Sequence, residues 1–110
     1  MYDEALSKID GIKLLPRYDN ILHSFWNYFF ILDTDRDDFS EKLLNDFGIQ
    51  SASAYYPPCH KQKAFIEKFK DEKFEVADDI LKKHISIPMH LKLTDDDVKH
   101  IIDCIKEILS

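Results

Sequence analysis

Between Tyr55 and Gln62 the chain reads YYPPCHKQ. Two phenols, a thiol, an imidazole, an ammonium and an amide crowd into this one segment. Pro57 and Pro58 fix their own backbone and press Tyr56 into extended geometry, so these groups stand on stiffened chain. Such a set suits hydrogen bonding to hydroxyl-rich or phosphorylated ligands. Tyr56, His60 and Gln62 are therefore candidate binding residues. The same composition also makes an ordinary Tyr-Pro-Pro connector, with packed tyrosines and a solvated tip, and the residues alone admit both readings. The stretch Ser86-Ile87-Pro88-Met89-His90 poses the same choice. Pro88 halts an extended piece and leaves His90, the fourth candidate, just ahead of the final helix.

Other chemistries fit less well. Cys59 as a nucleophile needs a histidine base, yet adjacent His60 would have to fold back, and no third group orients it. A small apolar side chain after a rigid Pro-Pro is the simpler reading. His100 and Cys104 stand four apart on a helix, a spacing that can hold a metal, at the polar edge of its apolar stripe. No second pair completes a tetrahedral set. The aspartates fall in turns and helix starts: Asp33, Asp35, Asp37, Asp38, then Asp95 to Asp97. Capping and solubility account for them. No catalytic residue is assigned.

The totals narrow the classes further. A chain of 110 residues with 45% apolar content supports one domain with one modest core. Net charge is −6, with lysines and aspartates interspersed. That balance lacks the positive field that nucleic-acid backbones require, so no nucleic-acid partner is expected. The longest apolar run, Tyr28 to Leu32, is too short to cross a bilayer, and no membrane partner is expected. The N-terminus MYDEALSKID is polar and unlike a secretory leader. Reduced thiols at Cys59 and Cys104 and a cytoplasmic location are the expectation.

The elements that must position these residues follow from periodicity. Tyr2 to Ile9 carries a helical pattern, with Gly11 suited to cap it. Ile12 to Leu15 reads as a short strand before Pro16, and Arg17 to His23 as a polar loop. Ser24 to Leu32, SFWNYFFIL, is aromatic and β-branched on both faces, the signature of a strand covered on two sides. A helix follows with Phe39, Leu43, Leu44 and Phe47 on one stripe and Gly48 as its stop. Ile49 to Ala54 reads as a strand of small residues. Lys63 to Phe69 reads as a short helix, and Phe74 to Lys83 as a longer one with Val76, Ala77, Ile80 and Leu81 inward. Ile85 to Ile87 is extended. The last helix has Thr94 as N-cap, Asp97 at its third position and an inward stripe from Val98 to Leu109. The predicted fold is α+β: a small antiparallel or mixed sheet of three to four strands with helices packed on one side, Ser24–Leu32 central, and a split βαβ order plausible. Helices on one side leave the aromatic strand under-covered, which points to an interface.

Three segments, YYPPCHKQKAF, FEVADDILKKHISIPMH and LTDDDVKHIIDCIKEIL, resemble the C-terminal region of the DegT/StrS family of sugar-nucleotide aminotransferases. That family shows a tyrosine-proline-x-histidine-x-glutamine loop, matched by Tyr56, Pro58, His60 and Gln62. It shows an alanine-containing helix running into serine-x-proline-methionine-histidine, matched by Ala77, Ser86, Pro88, Met89 and His90. Leu93 and Thr94 match its leucine-threonine helix start. GIKLLP, the aromatic strand and the helix closing in FGI keep the family's order, so nearly the whole chain is covered.

The resemblance implies a fold-type I enzyme using pyridoxal 5′-phosphate (PLP). Such enzymes pass an amino group from glutamate to a keto sugar on a nucleotide diphosphate, making amino sugars for surface polysaccharides or antibiotics. They act as dimers, and the small domain helps wall the sugar-nucleotide pocket. On this resemblance residues 1–110 are a single small domain. Tyr56, His60, Gln62 and His90 face the nucleotide-sugar substrate. The cofactor lysine lies in a large PLP domain absent from the sequence, so this chain binds no PLP alone. Its expected partners are that large domain or a homodimer mate. The alternative is a non-catalytic protein-interaction module that uses the aromatic sheet.

Overall fold

The computed structural model describes residues 1–110. The order is α1 (Tyr2–Leu6), β1 (Ile12–Leu14), β2 (Tyr28–Leu32), α2 (Arg36–Phe47), α3 (Ile66–Phe69), α4 (Glu75–Lys83), β3 (His84–Ile87) and α5 (Asp95–Leu109), with a 3-10 turn at Cys59–Lys61. The three strands form one antiparallel sheet in the order β1-β2-β3. β2 and β3, the strands joined through α2 to α4, are direct neighbours with no strand between them, so the split βαβ order is not the one adopted.

Alternation decides which side chains meet. Tyr28 pairs with Ile87, Phe30 with Ile85 and Leu14, and Leu32 with Ile12. Residues directly opposite share a face. This face joins Tyr2 and Leu6 of α1, Phe39 and Leu43 of α2, and Ile101, Ile102, Cys104 and Ile105 of α5 in one core. Phe30, Leu6, Leu32, Leu43, Ile85 and Ile105 are its most enclosed side chains. Each adds about 1.5–3 kcal/mol of hydrophobic stabilisation. On the other face Ile31 is buried outside that cluster, Phe29 packs its ring on His84, and α4 touches β2.

Caps set the helix ends. Asp35 accepts from the amides of Asp37 and Asp38 at 2.9 and 3.0 Å and starts α2. Gly48, at φ 68°, ends it in the left-handed region. Thr94 and Asp97 form the reciprocal capping box that starts α5.

Several sequence expectations need correction. The central strand covers only Tyr28–Leu32, because Phe25 sits at φ 42° and breaks the extended run; Trp26 is 74% exposed. Ile49 to Ala54 is not a strand: only Ala52 bridges Ser86, since small side chains supply little to bury. The first helix stops at Leu6, and Gly11 instead turns the chain toward β1, its carbonyl accepting the Asp33 amide at 2.9 Å. Val76 and Leu44 point to solvent rather than inward. Cys104 is not at a polar edge but in the core, where burial raises its thiol pKa.

Candidate functional site

The Tyr55–Gln62 loop leaves the bridge at Ala52, turns at Tyr55 with φ 60°, passes a cis Tyr56-Pro57 peptide and winds into the 3-10 turn. Pro58 is buried and anchors it, while Tyr55, Tyr56 and Cys59 are exposed.

Each candidate is held by a different neighbour. The Tyr56 ring lies 4.4 Å from the guanidinium carbon of Arg36. Arg36 is only 7% exposed; its Nη1 donates to the Leu81 carbonyl at 3.1 Å, and its Nε and Nη2 donate to Asp37 at 2.9 and 2.7 Å. A hollow of about 310 Å³ opens between the start of α2 and the end of α4, with Tyr56, Thr34, Arg36 and Lys82 among its walls. The His60 ring stacks on Phe74 at 4.5 Å. Its Nε2 meets Asp78 Oδ1 at 2.9 Å, and Lys61 Nζ meets the same oxygen at 2.8 Å. Lys61 foremost, with His60, holds the Asp78 carboxyl below the usual carboxylate range. Gln62 turns its amide back on the carbonyl of Pro57 at 3.4 Å.

His90 stands apart from the other three. It is exposed, its Nδ1 accepts from the Lys92 amide at 3.3 Å, and it lines a second hollow of about 340 Å³ with Tyr2, Phe25, Tyr28 and Met89. The structure thus brings Tyr56, His60 and Gln62 together on one loop and places His90 in a different hollow. A roomier space of about 640 Å³ lies between α1 and α5 and touches none of the four.

Residues 1–106 match the model of the DegT/DnrJ/EryC1/StrS aminotransferase family. The chain belongs to that family. Its fold is similar to that of the sugar aminotransferase CalS13 from Micromonospora echinospora, with TM-score 0.84 and 27% identity over 96% of this chain and 27% of that one. A DegT DnrJ EryC1 StrS aminotransferase from Brucella abortus gives TM-score 0.82 and 25% identity over 99% of this chain and 28% of that one. The dTDP-4-dehydro-2,3,6-trideoxy-D-glucose 4-aminotransferase of Saccharopolyspora spinosa is 31% identical over 104 residues, 93% of this chain and 26% of that protein. The chain spans under a third of each.

Membership in the DegT/DnrJ/EryC1/StrS family raises the question of PLP. The cofactor needs a lysine for its Schiff base and a partner for the ring nitrogen. Every lysine here is exposed except Lys83, which is half-buried and paired to Asp79 at 2.6 Å. An exposed or ion-paired lysine is not the enclosed Schiff-base site that the cofactor uses, so the lysines of this chain do not fit it.

Sequence reasoning missed Arg36 and Asp78. Arg36 sits in the run DTDRDD, where its neighbours read as caps, and Asp78 reads as one more polar helix residue. The one available signal was a single arginine among aspartates. It missed a second group too. Arg17, expected to be loop, forks onto Asp3 with two bonds of 3.0 Å and lies 5.0 Å from the Phe25 ring centre.

Proposed function

We propose that this chain is the C-terminal small domain of a PLP-dependent aminotransferase that moves an amino group from glutamate to a nucleotide-linked keto sugar. The observation that carries the reading is the family match over residues 1–106, in a chain that spans only 27–28% of the solved family members. Amino-sugar supply for surface polysaccharide and a cytoplasmic location go with it. The lysine and phosphate cradle of PLP belong to a large domain outside these 110 residues. This domain supplies wall rather than chemistry: the Tyr56 phenol, the His60 imidazole and the Gln62 amide hydrogen-bond sugar or phosphate oxygens, with His90 as a further contact.

The reading is tested by complementation. The chain is mixed with the large domain of a family aminotransferase stripped of its own small domain, with PLP, glutamate and a dTDP-linked keto sugar. Amino-sugar product is measured by mass. Product is expected only when both parts are present. Amino transfer by this chain and PLP alone, or a large domain that neither binds it nor gains activity, overturns the reading.

A second reading has its own observation. Trp26 and Tyr55 are 74% and 68% exposed, with ring centres 6.4 Å apart, and Ile21 and Leu22 are exposed nearby in sequence. Such a patch also suits a non-catalytic module that docks a protein partner. Identifying what co-purifies with the chain separates the two: a PLP-lysine domain or a homodimer mate supports the enzyme, and an unrelated protein the module.

A further inference from the structure

We propose that Arg36 is a positioning residue that clamps Tyr56 to α4, so that loop Tyr55–Gln62 is strapped to that one helix at both ends. At the loop's start the Arg36 guanidinium lies 4.4 Å from the centre of the Tyr56 ring while donating to the carbonyl of Leu81, in the last turn of α4. At its far end His60 and Lys61 both meet Asp78, in the first half of the same helix. Asp78 and Leu81 are three residues apart, about 4.5 Å along the helix axis. The two attachments therefore fall on one turn, and loop and helix move as one body.

Arg36 is suited to the task. Its planar fork stacks on a ring and bonds a carbonyl at the same time, which a lysine cannot do. It is almost fully buried, whereas Tyr56 is half-exposed, so the buried member fixes the one that meets ligand. Asp37 takes two further N–H groups and locks the guanidinium plane. The consequence for substrate rests on reading this loop as a sugar-nucleotide wall; the clamp itself does not.

The experiment is amide hydrogen exchange on the full 110-residue chain. The reporter amides are those of Lys61 and Gln62, which bond within the loop at 2.9 and 3.2 Å. Arg36→Met and Tyr56→Leu are each expected to speed their exchange by about fivefold. Tyr56→Phe, which keeps the ring, returns the wild-type rate. Exchange in β2 and β3 stays unchanged. Loop rates unmoved by Arg36→Met, no rescue by Tyr56→Phe, or acceleration spread evenly through β2 and β3 overturns the proposal. In the complemented enzyme Arg36→Met raises KM for the dTDP-linked sugar about tenfold with kcat within about twofold. A loop that is freed while KM stays put leaves the clamp standing and removes the substrate reading instead.

Discussion

The phenol of Tyr28 donates a hydrogen bond to the carboxylate of Asp3, 25 positions earlier in the chain. Arg17 forks onto the same carboxylate, and the Tyr2 ring packs 4.9 Å from that of Tyr28 while its hydroxyl donates to the Pro88 carbonyl at 2.9 Å. One carboxylate thus joins the first helix, the β1–β2 connection and the central strand. Arg17 above all, with Tyr28, holds Asp3 below the usual carboxylate range against the opposing effect of burial. Burial pushes the Tyr2 phenol up to about 12.

Asp3 makes stability depend on acid. Its folded pKa lies below the unfolded value of about 3.9, so the stability it adds is present above that pH and lost as pH falls through the folded value. The carboxylate is partly exposed, which keeps the effect near about 1 kcal/mol. Asp3→Asn should lower the urea midpoint at neutral pH, and the gap to wild type should shrink as pH falls through the lowered folded pKa of Asp3. Equal midpoints for the two proteins at neutral pH would show that the carboxylate contributes nothing.

Phe30 is fully enclosed, edge-on to Phe39 at 6.4 Å. Truncation to alanine removes the ring and leaves a cavity between sheet and α2, at a cost of about 3–5 kcal/mol. Domains of this size hold only about 5–15 kcal/mol in all. Phe30→Ala should therefore lose a large share of the stability, about 3–5 kcal/mol in a urea titration, and the gentler Ile85→Val about 1 kcal/mol. Near-wild-type melting of Phe30→Ala would mean that the core is placed wrongly.

The α5 cap is local and separable. Thr94 Oγ1 accepts from the Asp97 amide at 3.2 Å, and Asp97 Oδ2 accepts from the Thr94 amide at 2.8 Å. Thr94→Ala should cost about 1 kcal/mol, whereas Thr94→Ser, which keeps the capping hydroxyl, should cost nothing measurable. Thr94 and its backbone amide hold the Asp97 carboxyl low, so the cap weakens only as pH falls below the usual carboxylate range. Thermal melts of Thr94→Ala and Thr94→Ser against wild type check the ranking.

Trp26 is expected to matter for assembly and not for folding. Being 74% exposed, it contributes little to the isolated chain. Trp26→Ser should change the unfolding free energy from a urea titration by under about 0.5 kcal/mol. It should also weaken association with a large PLP domain at least about tenfold, as removal of an interface aromatic does. Since Trp26 is the chain's one tryptophan, its fluorescence moves to the blue when the partner covers it. Unchanged affinity for the partner would take this residue out of the interface.

Elements with a strong local pattern were legible before any fold was known. The stripe from Val98 to Leu109, the Thr94 cap and the stop at Gly48 each arise from contacts a few residues apart, and the structure keeps them at those positions. Ile49 to Ala54 alternates equally well, yet forms a single bridge at Ala52, because a strand of alanine and serine lacks the burial that would hold it in a sheet. SFWNYFFIL has strand-forming composition from end to end, yet only part of it joins the sheet. Composition cannot register a left-handed residue at Phe25, which turns Trp26 outward and leaves only Tyr28–Leu32 in the sheet.

The site divides along the same line. Stiff Pro-Pro geometry and the crowding of Tyr56, His60 and Gln62 are properties of adjacent residues, so sequence alone determined that this loop bears hydrogen-bonding chemistry, and its ordered motifs determined the family. Only the tertiary structure decided what holds the loop. Arg36 under Tyr56 is 20 positions away, and Asp78 beside His60 is 18 positions away on a helix the chain has yet to build. Contacts at that separation form when packing brings α2 and α4 against the sheet, and no local spacing encodes them.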